Sequence, residues 1–388
     1  MLNRLKAILA DFFQQADLVL LGLCCSATLY GLFLIFSATR YMEDNRNVIV
    51  QAAALVLGIC AYIGMSLVDL DVLLKRWKWI ALFNVVFILL LLTPLGKTVY
   101  GNRAWLRFPF LPVNIGPAEV VKISFVLLMA KQLEWLREEK RDLKSFPAAL
   151  TVAGHTLGLC GLYYAVSSDM GNGLVFLFIF VCMAFVAGFA LRWFIVLFAA
   201  GGAAVAATLL LGIMPEHMRD RFIVLFDHSY QPLDAGWHQT RSLLTLGSGG
   251  VFGQGFLNGT QTQSSFPSSL PERHTDFIFS VAGEELGMLG CILMIAFLVA
   301  IIMRVLLVAK NAQTVFHCYV CVGMAAMLIF QTIINIGMCL FVMPVIGITL
   351  PFFSYGGSSV VTLFMAMGVV SGIKKRSPNV RKPGRLLR

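Results

Sequence analysis

Residues 270–287, LPERHTDFIFSVAGEELG, set His274, Asp276, Glu284 and Glu285 at the mouth of the apolar run MLGCILMIAFLVAIIM, in a chain that otherwise keeps acids out of such runs. Ionisable groups at membrane depth are costly and need a partner or a task. The chemistry is expected here, around Asp276, which stands beside apolar Phe277 and Ile278. Its position at a helix start favours the ionised form, and desolvation opposes it. A plainer reading has Thr275 or Asp276 capping the helix, with the acids favouring its positive end. Capping accounts for one acid, but not for a His, an Asp and a Glu pair converging on one membrane edge.

Glu119 and Lys122 lie three apart near the start of another apolar run and so share a helical face. Either they form a structural ion pair between helices, or Lys122 faces a cavity and meets a phosphate while Glu119 orients it. In RAWLRF, Arg103, Trp105 and Arg107 set an indole among guanidiniums. That is an interfacial anchor, or an aromatic platform for a sugar with the arginines on phosphate. Asp169, in SSDMGN, has an ordinary N-cap as its simplest role. Gln331 and Asn335, at i and i+4 within one run, either glue helices together or line a polar cavity. Gly356 and Gly357, followed by Ser358 and Ser359 at a helix start, could present backbone N–H groups to an anion. The run GGVFGQG (249–255) imitates a nucleotide loop but lacks its strand–helix context and its Lys. Six widely separated histidines make no metal-ligand cluster, so any divalent ion would be held by carboxylates and the substrate's own phosphates.

The elements that must position these residues are membrane helices. The chain has 388 residues, 59% of them hydrophobic and 13% charged, with a mean hydropathy of +0.82, which reads as an all-α polytopic membrane protein. Apolar runs long enough to cross lie near 18–38, 48–67, 78–93, 117–134, 147–166, 172–190, 193–213, 277–303, 314–340 and 357–373, giving about ten transmembrane helices. Twenty Lys and Arg fall in one set of loops and termini against nine in the other, which puts both termini in the cytoplasm. The net charge of +10 is explained by this bias and by anionic lipid, with no basic globular domain to bind nucleic acid. Nine scattered cysteines read as packing residues. Residues 1–17 read as a cytoplasmic interfacial segment, with Leu2, Leu5, Ile8, Leu9, Phe12 and Phe13 as its apolar residues, and 374–388 as a basic cytoplasmic tail. The transmembrane domain spans 18–373. The long outer loop 214–275, between the seventh and eighth helices, is expected to cover the site and to move. Between the ninth and tenth, FVMPVIGITLPFFSYGG (341–357) is too apolar for a solvated loop and too broken for a helix, and is expected to re-enter the membrane. No internal repeat marks the two halves as transporter repeats do.

NRAW with the following PAEVVK, the DMG turn, LPERHTDFIFSVAGEELG and QTIINIGMCLFVMPVIGITLPFFSYGGSS together resemble the SEDS family, to which RodA, FtsW and SpoVE belong, over essentially all ten runs. The resemblance implies a peptidoglycan glycosyltransferase of the bacterial cytoplasmic membrane. Such an enzyme polymerises lipid II into β-1,4 glycan strands at the outer leaflet, beside a class B penicillin-binding protein and other elongation-complex membrane proteins. By motif, Asp276 matches the family's essential acid, which the implied inverting transfer would use as general base for the acceptor hydroxyl, Trp105 its functional tryptophan, Glu119 and Lys122 its helix-borne pair, and Glu284 and Glu285 its GEE. His274, Asp169, Arg103, Gln331, Asn335, Ser358 and Ser359 complete the expected substrate-binding set. The chain departs from the family with GPAE (116–119) for QPSE and SSD (167–169) for QPD. HTDFIF and the short termini resemble the elongation type, RodA. No organic cofactor is expected. A Mg or Mn ion held by Asp276 and Glu285 would offset leaving-group charge. A flippase for the lipid-linked precursor and a non-catalytic partner of a penicillin-binding protein are the alternatives.

Overall fold

The computed structural model describes residues 16–42, 45–99, 101–109, 114–139, 142–227, 230 and 236–376. The apolar residues expected of an interfacial helix, Leu2 to Phe13, and residues 377–388 of the basic tail lie outside the described residues. Ten long helices follow the ten apolar runs: α1 (Leu18–Thr39), α2 (Arg46–Leu67), α4 (Trp77–Leu89), α5 (Pro117–Glu138), α6 (Phe146–Ser167), α7 (Met170–Ala187), α8 (Leu191–Leu210), α11 (Ile278–Lys310), α12 (Val315–Cys339) and α13 (Gly357–Arg376). Three shorter ones are α3 (Leu70–Leu74), α9 (Glu216–Phe226) and α10 (Trp237–Ser248). Eight of the ten are long and apolar enough to cross a membrane by themselves. The others are α4, which is short, and α5, which carries charges and is buried in the bundle along 121–130, while Arg137 and Glu138 at its far end are exposed.

Burial orders the bundle. Two-thirds or more of the apolar windows of α12 and α13 are inside, against 6% of that of α8, which lies at the rim. Helix α13 runs along α2 through small residues: a Cβ on Gly368 would meet the Tyr62 carbonyl oxygen at 2.5 Å, and one on Gly372 that of Ser66 at 2.9 Å. This Gly-xxx-Gly spacing lets two backbones touch where no hydrophobic force separates protein from lipid. At one end, fully buried Asp17 accepts from the Arg304 guanidinium at 2.8 and 3.0 Å and pairs with Lys374 at 3.1 Å. Tyr62 donates to the Asp17 carbonyl and Ser371 accepts from its N–H, so one residue ties α1, α2, α11 and α13.

The opposite end is rich in loops, and here the structure adds to the all-α expectation. Gly96–Val99 (β1), Asn102–Arg107 (β2) and Asn114–Ile115 (β3) form an antiparallel sheet in the order β1-β2-β3, with Lys97 opposite Trp105. Segment 342–356 has no helix or strand, yet Ile348, Leu350, Phe352 and Phe353 are buried, and the Phe353 backbone packs where a Cβ on Gly31 would stand. Gly31 is eight residues from the end of α1, so the segment descends roughly 12 Å along that helix, as its apolar but broken sequence implies.

Candidate active site

The loop-rich end converges on the turn 272–277. Asp276 does not cap α11; Phe277 occupies that position without a side-chain bond, and Thr275 Oγ1 donates instead to the Glu272 carbonyl and carboxylate. The turn is held through its backbone. Asn335 Nδ2 donates to the Asp276 carbonyl at 2.8 Å and to that of Ile348 at 2.7 Å, Ser354 Oγ to the Thr275 carbonyl at 2.6 Å, and the Tyr355 N–H to the His274 carbonyl at 2.8 Å. Asn335 therefore ties two loops rather than two helices. Gln51, from α2, completes the frame by donating to the Ser354 carbonyl and accepting from the Gly356 N–H. The Gly356 N–H is thus taken by Gln51. Glu272 (φ 48°) and Phe352 (φ 68°) hold left-handed backbone in the two facing segments, a strained conformation for side chains of this size that the contacts around them must maintain.

The Asp276 carboxylate has no hydrogen-bond partner among the described residues and keeps part of its surface open, although it lies deep beneath the loops. Gly347, at φ 68°, leaves space beside it: a Cβ there would stand 3.9 Å from Asp276 Oδ2. Desolvation first, then the charge of Glu272, push the Asp276 carboxyl up to about 7. Arg221, on α9, opposes the rise, and Asp169 adds to it. His274 is pushed toward its neutral form by burial; its Nδ1 is buried without a partner and its ring lies 5.5 Å from that of Tyr355. Sequence reasoning counted Arg221 only as an outer charge. Its signal was a cation in an amphipathic segment of an acid-containing loop, and nothing in that pattern pointed it at Asp276.

Beside this turn stands the ion pair. Lys122 Nζ lies 2.8 Å from Glu119 Oε1, with the Lys122 side chain fully buried, and Ser359 Oγ lies 3.4 Å from Glu119 Oε2. Trp105 completes the group: a Cβ on Gly116 would stand 3.4 Å from its ring and 3.5 Å from Glu119 Cγ. Asp169 caps α7 through the Asn172 N–H, as its simplest reading had it, but also accepts from Asn172 Nδ2 and, at 3.1 Å, from the buried Tyr163 hydroxyl. Ser359, which reaches Glu119, lies four residues past Tyr355, which bonds the turn, and this segment links the pair to the turn. Gln331 Oε1, Asn335 Oδ1 and Ser358 Oγ are buried without partners. Arg103 Nη2 donates to the Leu92 and Thr93 carbonyls at the end of the third span, while its Nε is buried without a partner among the described residues.

Glu284 and Glu285 do not join Asp276. Glu284 accepts from the Gln261 and Thr262 N–H groups, both at 2.8 Å, and from the Thr260 and Thr262 hydroxyls. Glu285 accepts from Ser37 Oγ at 2.6 Å and Gln263 Nε2 at 2.8 Å. Seven helical steps from Ile278 put Glu285 about 10 Å beyond the turn, too far for the two acids to share one cation with bonds of about 2–2.6 Å. The described residues contain no group of three His, Cys, Asp or Glu placed to hold a metal, so the expected Asp276–Glu285 metal pair does not form. The Gly-rich run is no lid either. Gly287 (φ 69°) breaks α11, and the loop fills the break: Gln254 and Gly255 N–H groups donate to the Glu284 and Glu285 carbonyls, while Met288 and Leu289 donate to those of Gly250 and Val251.

Fold and site define a polytopic membrane protein that keeps an unpaired acid and a buried ion pair beneath its loop-rich end. The FtsW/RodA/SpoVE family model, described as "Cell cycle protein", matches residues 17–379, and the chain belongs to that family. Among its relatives are a probable peptidoglycan glycosyltransferase FtsW of Coxiella burnetii, 33% identical over 90% of this chain and 93% of that one. Another is the peptidoglycan glycosyltransferase MrdB of Escherichia coli K12, 31% identical over 92% and 93%. A solved peptidoglycan synthase complex contains a chain that matches 94% of this one with 99% of its own length, at a TM-score of 0.77 and 27% identity. The rod shape determining protein RodA of Thermus thermophilus matches 94% with 98% of its own length, at 0.67 and 26%.

Proposed function

We propose that this chain is a peptidoglycan glycosyltransferase that polymerises lipid II at the outer leaflet, with Asp276 as its general base. The observation that carries the assignment to Asp276 is its carboxylate: unpaired, beneath the loops, and poised near neutrality in a chain whose relatives bear that activity. In the reaction the C4 hydroxyl oxygen of one N-acetylglucosamine attacks the anomeric carbon of an N-acetylmuramic acid on undecaprenyl pyrophosphate. The C1–O bond to pyrophosphate breaks, the hydroxyl proton passes to Asp276, and pyrophosphate leaves on its polyprenol. The α linkage becomes β, so one inverting displacement suffices without a covalent intermediate. Stabilising the leaving charge falls to Arg221 and to the spare N–H donors of Lys122. Trp105, at the rim of this group, is the sugar platform.

The charge asymmetry of the loops supports an outward-facing site in the cytoplasmic membrane with both termini inside. Likeness to a chain of a peptidoglycan synthase complex supports a class B penicillin-binding protein as partner, with the nascent glycan, membrane lipid and other elongation-complex membrane proteins as further contacts. The HTDFIF form of the turn and the likeness to a RodA support the elongation role. A divalent cation would enter with the substrate pyrophosphate, with Asp276 as its protein carboxylate.

The test is glycan synthesis from purified lipid II by the reconstituted protein with a transpeptidase-inactive partner, with and without excess chelator. Polymer is the expected product, and its absence in every condition would overturn the enzyme reading in favour of a flippase or a scaffold. Unchanged rates in chelator would remove the cation alone. In the same assay Trp105→Ala is expected to raise KM for lipid II about tenfold, the loss of one aromatic contact of about 1.4 kcal/mol, while Trp105→Phe stays within about threefold. Equal KM values for both would take the sugar from Trp105.

A further inference from the structure

Arg273 and Glu284 are fully buried opposite charges, and the proposed reaction uses neither. Instead they grip the backbone of the same two residues, and the 261–262 peptide unit is held on both sides. The N–H groups of Gln261 and Thr262 donate to the Glu284 carboxylate, and the carbonyls of the same two residues accept from Arg273 Nη1. Arg273 Nη1 also reaches the Ser264 carbonyl, Nη2 donates to that of Phe266 and Nε to that of Leu270, and the guanidinium lies 4.0 Å over the Tyr41 ring at the end of α1. Glu284 adds the hydroxyls of Thr260 and Thr262, and Gly259 must be glycine because a Cβ would stand 2.6 Å from Glu284 Oε2. Two buried charges are thus balanced through peptide dipoles rather than by direct contact, and neither can lose its partner cheaply.

The placement gives this clamp a task. Asp276 has no side-chain bond of its own, so its position is that of its turn. The 342–356 segment holds the turn on one side, through Ser354 and Tyr355. On the other, Arg273 ties it to 261–270 and, through Glu284, to the broken helix α11. We infer that Arg273 and Glu284 are positioning residues, which set the distance between Asp276 and the attacking hydroxyl through the loop 260–266 without touching substrate. The inference rests on the glycosyltransferase reading above.

The experiment measures kcat, KM and the pH dependence of lipid II polymerisation, with the holo complex, for wild type, Glu284→Gln, Arg273→Lys and Thr262→Val. Each of the first two is expected to lower kcat by about 10²-fold, as small misplacements of reacting groups do, with KM within about twofold. The acid limb of the kcat profile should move to lower pH, because a loosened turn hydrates Asp276. Thr262→Val removes one hydroxyl bond to Glu284 at nearly constant volume, so it keeps the test open if the charge variants do not fold. It is expected to lower kcat about fivefold, within the range of one hydrogen bond to a charged group, again at constant KM. Folded variants with wild-type kcat and pH profile, or Thr262→Val indistinguishable from wild type, would overturn the positioning role. No polymer from wild type would instead remove the glycosyltransferase reading on which it rests.

Discussion

Replacing Lys122 by methionine is expected to destabilise the folded protein by about 3–5 kcal/mol, the cost of leaving a buried charge without its partner, and to end polymerisation. Lys122 has no exposed side-chain surface and one anionic partner, Glu119, at 2.8 Å. Glu119→Gln should cost at least as much, because it strands the fully buried Lys122 ammonium, whereas Lys122→Met leaves a Glu119 carboxylate that is partly exposed and within reach of Ser359. The decisive variant carries both changes. A neutral pair of similar volume restores most of the stability, since desolvation of the two ions offsets much of their attraction, but it supplies no cation to a leaving pyrophosphate. Thermal unfolding in detergent beside lipid II turnover separates the two roles. A double variant that is stable and active would reduce the pair to a helix-to-helix tie.

Asp276→Asn carries the opposite signature, a gain of stability with a loss of activity. The folded protein raises this carboxyl from 3.8 to about 7, so folding opposes ionisation. Below about pH 4 both states hold the proton and the substitution changes little. As pH rises toward 7 the unfolded chain ionises and the folded one does not, and wild type progressively loses stability relative to the asparagine variant. Above pH 7 the full difference applies, with an upper bound of about 4 kcal/mol for a rise of this size, reduced by the open part of the carboxylate's surface. Unfolding temperatures of the two proteins should therefore coincide at pH 4 and diverge by pH 8, with Asp276→Asn the higher. The same ionisation sets an acid limb near pH 7 in the kcat profile of wild type.

The membrane architecture was legible because apolar run length is a strong one-dimensional signal. Nine of the ten helices begin and end within four residues of the runs, including α5, whose charges depress its hydropathy, and α11 continues seven residues beyond its run to Lys310. The Glu119–Lys122 pair was legible for a similar reason, since i, i+3 spacing decides which residues share a face whatever surrounds them. Glu284 and Glu285 misled because proximity along the chain stood in for proximity in space: a rise of about 1.5 Å per residue carries them away from Asp276 before the helix breaks at Gly287. The Gly-rich run 249–255 offered no side-chain pattern at all. Its fit into that break depends on backbone N–H and carbonyl groups and on the absence of Cβ atoms, which hydropathy and motif spacing do not register. Arg273 and Arg221 looked alike as loop cations, and only the folded chain buries the first among peptide carbonyls and leaves the second exposed, with its charge felt at Asp276.

The central claim, that Asp276 takes the proton during glycan polymerisation, is tested most directly by turnover of purified lipid II at pH 8 by wild type and by Asp276→Asn, each reconstituted with the same inactive-transpeptidase partner and each verified as folded by its unfolding temperature. Removal of a general base predicts a fall in kcat of about 10²–10⁴-fold in a variant at least as stable as wild type. An asparagine variant that polymerises lipid II at the wild-type rate would contradict the claim.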